Sequence, residues 1–253
     1  MAGARRPSAR LWLRGARRAA LPLCLCLAAT GPAAAAEHER ITGAAYAAPT
    51  TRYDHGVLGD EIEYGALVLT FEDGSTRRFT LPDTLVYEDT APRLADITGD
   101  GAPEVIVVES SLTKGARLAV YGPEGRLATT DHIGQSHRWL APVGAADMDN
   151  DGKIEIGYVD RPHLLKTLRL VQLEGDTLRE TATLRGVTNH RIGWDTIPGG
   201  LRDCGNGPEM ILGTADLRAV VAVFWSRDGH LDTRALGPLH RRSDLDAALT
   251  CQD

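Results

Sequence analysis

A repeat of about fifty residues sets the strongest limit on what this chain can fold into. Residues 67–71 (LVLTF) run into the turn Glu72-Asp73-Gly74 and then RRFTL. Residues 117–121 (RLAVY) run into Gly122-Pro123-Glu124-Gly125 and then RLATTDHI. Residues 168–173 (LRLVQL) lead to Glu174-Gly175-Asp176 and LRETATL, and residues 220–225 (VVAVFW) to Arg227-Asp228-Gly229 and LDTRAL. Each is an apolar alternating run, a short Gly-containing turn and a second run, which is the pattern of an antiparallel hairpin. Between hairpins, Pro92, Pro142 and Pro198 stand shortly before Asp96, Asp147 and Asp203. Each aspartate opens a Gly-rich loop followed by a short apolar strand: EVIVVE, EIGYV, EMILGT.

A full unit therefore reads strand, acidic loop, strand, hairpin. Four strands in about fifty residues is the content of one propeller blade. The expectation is an all-β chain, a β-propeller of four blades over residues 52–240, with a polar lead-in at 37–51 and a tail at 241–253 that forms one short helix. A β-sandwich of similar hairpins is the alternative. The first unit is the least regular, because Tyr53 to Asp60 stands where later units carry the acidic loop.

The first 36 residues are read as a cleaved signal peptide. Six arginines and no acid lie there, followed by an apolar stretch broken by Pro22 and Pro32 and ending in Ala34-Ala35-Ala36. No apolar run reaches the roughly 18 residues of a membrane span. The expected location is periplasmic or secreted, with Sec and Tat export both open. Without the leader, 217 residues carry 22 basic and 34 acidic side chains, a net charge near −12. Such a surface repels nucleic acid and attracts cations. Of the four cysteines, Cys204 and Cys251 remain after cleavage, and in an oxidising compartment they are expected to pair as one disulfide pinning the tail.

Two loops carry metal chemistry. The first runs Asp96, Thr98, Asp100, Gly101, Ala102, Glu104; the second runs Asp147, Asp149, Asp151, Gly152, Lys153, Glu155. Oxygen side chains occupy positions 1, 3, 5 and 9 of each, with Gly at position 6. Alternate positions let a curled loop aim oxygens at one centre, and the Ala102 and Lys153 carbonyls would add a seventh-position donor. Hard oxygen donors in this number suit Ca²⁺. An EF-hand shares the early positions but closes with a Glu at position 12, where this chain has Val107 and Tyr158. The third loop, Asp203-Cys204-Gly205-Asn206-Gly207-Pro208-Glu209, is shorter and lacks the position-3 oxygen. It is expected to be metal-free.

The D-x-D/T-x-D-G-x-x-E loop before an apolar strand, repeated every fifty residues, resembles the FG-GAP or VCBS-type repeat. That resemblance implies a calcium-binding propeller of the kind found in integrin α-subunits and short secreted bacterial proteins. It carries the ligand roles onto Asp96, Thr98, Asp100 and Glu104, and onto Asp147, Asp149, Asp151 and Glu155. Thr98 replaces an acid, so the second loop is expected to bind more tightly, and no Phe-Gly pair precedes either loop.

Catalytic motifs are weak: there is no G-x-S-x-G elbow, and Gly99-x-Gly101 lies inside a metal loop rather than at a strand-to-helix junction. One recurrence points to a binding site. His137-Arg138 and His190-Arg191 precede the innermost strands of their units, and His55 lies near the start of the first. In a propeller these residues would converge at one channel mouth. The expected function is a binding or scaffold module with structural Ca²⁺ and a protein or glycan partner. The alternative is a hydrolase or lyase acting on polysaccharide with a His/Arg site at that mouth.

Overall fold

The computed structural model describes residues 39–251 together with Gly3. The signal-peptide reading of residues 1–36 lies outside the described residues, apart from Gly3. Of the two compact units into which the chain divides, His38–Asp253 is the one that carries the described fold. It is mostly β, with one short helix.

The first repeat consists of β1 (Ile41–Thr50), β2 (Glu63–Phe71) and β3 (Thr76–Thr80), with β2 between the other two. A short strand, β4 (Leu85–Tyr87), links it to the second repeat: β5 (Arg93–Ala95), β6 (Glu104–Ser111), β7 (Gly115–Gly122) and β8 (Gly125–Thr129). The third is β9 (Leu140–Ala146), β10 (Glu155–Asp160), β11 (Thr167–Glu174) and β12 (Thr177–Arg185). The fourth is β13 (Val187–Thr188), β14 (Gly200–Asp203), β15 (Pro208–Thr214), β16 (Ala219–Trp225) and β17 (Leu231–Pro238). Helix α1 (Ser243–Ala247) and a 3-10 turn, Ala248–Thr250, close the chain.

Strands buried on both faces explain why the sequence runs are continuously apolar. In β6, Val105 and Val107 face the core shared with the first repeat, while Ile106 and Val108 face the core shared with the third. In β11, Val171 joins that same central core, and Leu168 and Leu170 turn to the fourth repeat. In β15, Met210 and Leu212 face the third repeat and Ile211 faces the other way. Period-two alternation thus feeds two cores from one strand.

The strand pairing departs from the expected closed propeller. The first three repeats form one continuous twelve-stranded sheet that curls as a half-barrel, and the fourth forms a separate five-stranded sheet. Single bridges make the joins, Tyr64 to Tyr87 between the first two repeats and Thr129 to Thr177 between the second and third. Among the described residues, the core on the outer face of the fourth repeat holds none from the first. Leu239, Leu245, Trp194 and Leu249 fill it instead.

The lead-in also needs correction. Residues 41–50, expected as polar lead-in, form a ten-residue strand paired antiparallel with β2, with a register shift between Ile41 and Gly43. Alternate residues Ala44 and Tyr46 pack into the first core, which draws this weak strand former into the sheet. The segment between β1 and β2 then crosses to the central core, where Val57 is buried beside Ile97, Trp139 and Ile156. That crossing delivers Tyr53 and His55 to the second and third repeats.

Candidate functional site

The two acidic loops fold alike and differ in what they gather. In the first, Asp96 accepts the backbone N–H groups of Gly99 at 2.7 Å and Gly101 at 2.9 Å, and Asp100 accepts that of Ala102 at 2.8 Å. Both loops place a glycine with positive φ at position 6, Gly101 at +89° and Gly152 at +88°, a turn few other residues enter. In the second, Asp147 accepts from Asp151 at 3.1 Å and Gly152 at 3.0 Å, and Asp151 accepts from Lys153 at 2.8 Å. Here one oxygen of each of Asp147, Asp149 and Asp151 lies within 4.8 Å of the others. A calcium ion with oxygens at about 2.4 Å spans that separation.

The ninth-position glutamates play another part. Glu104 accepts the N–H groups of Ile97 at 2.8 Å and Thr98 at 3.1 Å, and the Thr98 hydroxyl donates to its other oxygen at 3.3 Å. Glu155 accepts from the Met148 N–H at 2.9 Å and from Gln172 at 2.8 Å. Both are buried, and burial raises their pKa values against the pull of these donors. Each glutamate ties the start of its loop to the following strand, and Glu155 stands outside the three-aspartate group. Among the described residues the first loop forms no such group, so Asp96, Asp100 and Glu104 do not converge as a set.

The third loop keeps its first and last acids, Asp203 and Glu209, and lacks those between them. Asp203 accepts from Gly205 at 2.7 Å and Gly207 at 3.2 Å, and Glu209 is held by Arg202 at 3.0 Å and Arg234 at 2.6 Å. Cys204 and Cys251 are joined by a disulfide that ties this loop to the end of the chain.

A second site lies where the β1–β2 segment meets the second and third repeats. His55, His137, Arg138, Trp139, Arg161 and His163 line a cleft of about 190 Å³, rimmed by Leu164 and Ile192. His55 Nδ1 bonds the buried carboxylate of Glu88, whose other oxygen accepts from the Ser110 hydroxyl. Burial raises the Glu88 pKa, and His55 and Ser110 oppose that rise. The indole N–H of Trp139 donates to the Glu88 carbonyl at 2.9 Å.

His137 adopts φ +56° and donates its backbone N–H to the Tyr53 hydroxyl at 2.8 Å. Its ring stacks on Tyr53 at 5.1 Å, lies 5.3 Å from His55 and bonds Asp54 through Nε2 at 3.1 Å. Burial pushes the Tyr53 hydroxyl up to about 12.

His190 is placed one step away. It hydrogen-bonds His163 at 2.9 Å and the Trp194 carbonyl at 3.0 Å, and it lines an adjoining recess with Arg191 and Lys166. Burial lowers both His163 and His190 to about 4. The sequence-predicted ligand residues therefore fall into two neighbouring groups bridged by His163. Sequence reading missed His163 and Glu88. His163 sits in an isolated Arg-Pro-His turn with no counterpart in the other repeats, and a buried glutamate leaves no mark in a sequence.

No curated protein matches this chain. The stretch that holds both acidic loops, residues 96–158, is an FG-GAP-like repeat.

Proposed function

We propose that the protein is an exported binding module, built of four hairpin repeats in two sheets, in which Ca²⁺ is structural and the histidine–arginine cleft receives the ligand. The observation that carries this reading is the meeting of four separate chain segments at one cleft: His55, 137–139, 161–164 and Ile192. The surrounding bonds bridge repeats. Thr188 donates to the Pro162 carbonyl at 2.9 Å, and Tyr53 holds the His137 backbone. Such bridges fix a recognition surface, which supports a module over the hydrolase or lyase alternative.

Asp147, Asp149 and Asp151 would hold the calcium, and their donor set fits a hard cation. The bound ion would supply charge neutralisation to a loop that otherwise crowds three carboxylates. Thermal unfolding in calcium and in chelator tests the structural part. Saturating calcium should raise the melting temperature by about 5–10 °C, the shift expected for a ligand at roughly 100 times its dissociation constant. An unchanged melting temperature would remove calcium from the fold and leave the cleft as the only part of the reading to pursue.

A further inference from the structure

We infer that the cleft takes a small carboxylate carrying a hydrogen-bond donor on a nearby carbon, a hydroxy acid or an amino acid in the chemical sense. This rests on the ligand cleft proposed above and specifies its chemistry.

The hydrogen bonds fix which ring nitrogens are bare. The Trp194 carbonyl can only accept, so His190 Nε2 carries a hydrogen. A neutral imidazole has one N–H, which leaves His190 Nδ1 as an acceptor. His163 Nε2, 2.9 Å away, must then donate to it, and His163 Nδ1 keeps its lone pair. Burial holds both rings neutral at physiological pH. The Glu88 carboxyl group bonds His55 Nδ1 and leaves Nε2 bare. Neither bare nitrogen has a hydrogen-bond partner among the described residues. One imidazole acceptor with a fixed tautomer, His163 Nδ1, therefore lines the cleft, with the His55 ring beside it.

The donors come from arginine. Arg138 is half-buried at the cleft and gives one N–H to the His137 carbonyl at 2.9 Å, which leaves most of its planar fork uncommitted and able to meet a carboxylate. Arg161 is committed to Asp160 through Nε at 2.7 Å and its second terminal nitrogen at 3.0 Å, with its remaining N–H groups outside that pair. On a strongly acidic chain these arginines make a local exception to the repulsion of anions. Leu164 and Ile192 are 64% and 71% exposed, which leaves an apolar rim for a carbon skeleton. A volume of about 190 Å³ lies below the roughly 300 Å³ at which pockets for drug-sized ligands begin, the scale of a single small acid.

The test titrates the purified protein, in calcium, with leucine, 2-hydroxy-4-methylpentanoate and galacturonate. The control, 4-methylpentanoate, keeps the carboxylate and lacks the donor. Calorimetry gives affinity, and histidine ring resonances give location. At least one donor-bearing acid should bind at the cleft tenfold or more tightly than the control. His163→Phe should erase that ratio, and Arg138→Gln, at a half-buried side chain, should weaken every carboxylate.

Equal affinity for the control, or a ratio that survives His163→Phe, overturns the inference and leaves the cleft as a ligand site. Histidine resonances that ignore every compound, in a protein still stabilised by calcium, overturn both the inference and the cleft. If His163→Phe does not fold, Arg138→Gln decides: undiminished carboxylate binding in that variant overturns the inference.

Discussion

Glu63 and the pair His163–His190 are buried with opposite consequences for pH. Glu63 is 3% exposed at the start of β2, and burial, with Glu88, Asp60 and Asp89 nearby, pushes its carboxyl up to about 9. The folded state then holds a proton that the unfolded chain releases above about 4.5. The stability this supplies is complete below that value and is lost as pH rises towards 9. The histidines act the other way. Lowered to about 4, they contribute stability above their unfolded value near 6.5 that is lost as pH falls towards 4. Between pH 6.5 and 9 only the Glu63 contribution changes among these three. The stability of Glu63→Gln relative to the parent should therefore rise by several kcal/mol, up to about 6, between pH 5 and pH 9, since one pKa unit is worth about 1.4 kcal/mol. Urea unfolding across that range measures it. A difference that is the same at pH 5 and pH 9 would mean Glu63 is already ionised in the fold.

At the scale of the element, the two acidic loops separate roles that their shared pattern runs together. Alternating oxygens and a position-6 glycine are legible because each corresponds to a backbone requirement, and the hairpins are legible because both buried faces enforce period two. The division of labour between aspartates and glutamate is not legible. Position 9 looks like a ligand, yet in Glu104 and Glu155 one oxygen accepts backbone N–H and the other accepts from a side chain, Thr98 or Gln172. Nor is β1 legible, because Ala, Gly and Pro give ITGAAYAAPT a poor strand signal and only the docking of Tyr46 and Ala44 selects it. The loops should respond differently to substitution. Asp149→Ala should abolish the calcium-dependent rise in melting temperature, whereas Asp100→Ala should leave most of it, because only the second loop gathers three carboxylates. Equal losses in the two variants would show that calcium draws the first loop together as well.

At the scale of the whole molecule, the four repeats share three internal cores, and the stack has to end somewhere. Closing a ring would place the first repeat against the fourth. The outer face of β15 and β16, with Ile211, Val220 and Ala222, is covered instead by α1 and the tail. Leu245 is fully buried there, Arg202 donates to the Ala248 carbonyl at 2.6 Å, and the Gly199 N–H donates to Asp246 at 3.0 Å. The disulfide from Cys204 to Cys251 fastens the same tail across 47 residues, a crosslink typically worth about 2–4 kcal/mol. The repeat period suggested a ring because every hairpin has two apolar faces; it carries no information on whether the last face meets the first hairpin or a tail. Thirteen residues with one buried leucine thus do the work of a neighbouring sheet. Removing residues 241–253 should uncover the apolar face, lower the melting temperature and shift the protein to larger species in size-exclusion chromatography, since exposed apolar faces of this kind drive association. A truncated chain that stays monomeric and keeps its melting temperature would mean that the first repeat can swing in to cover the face and close the ring.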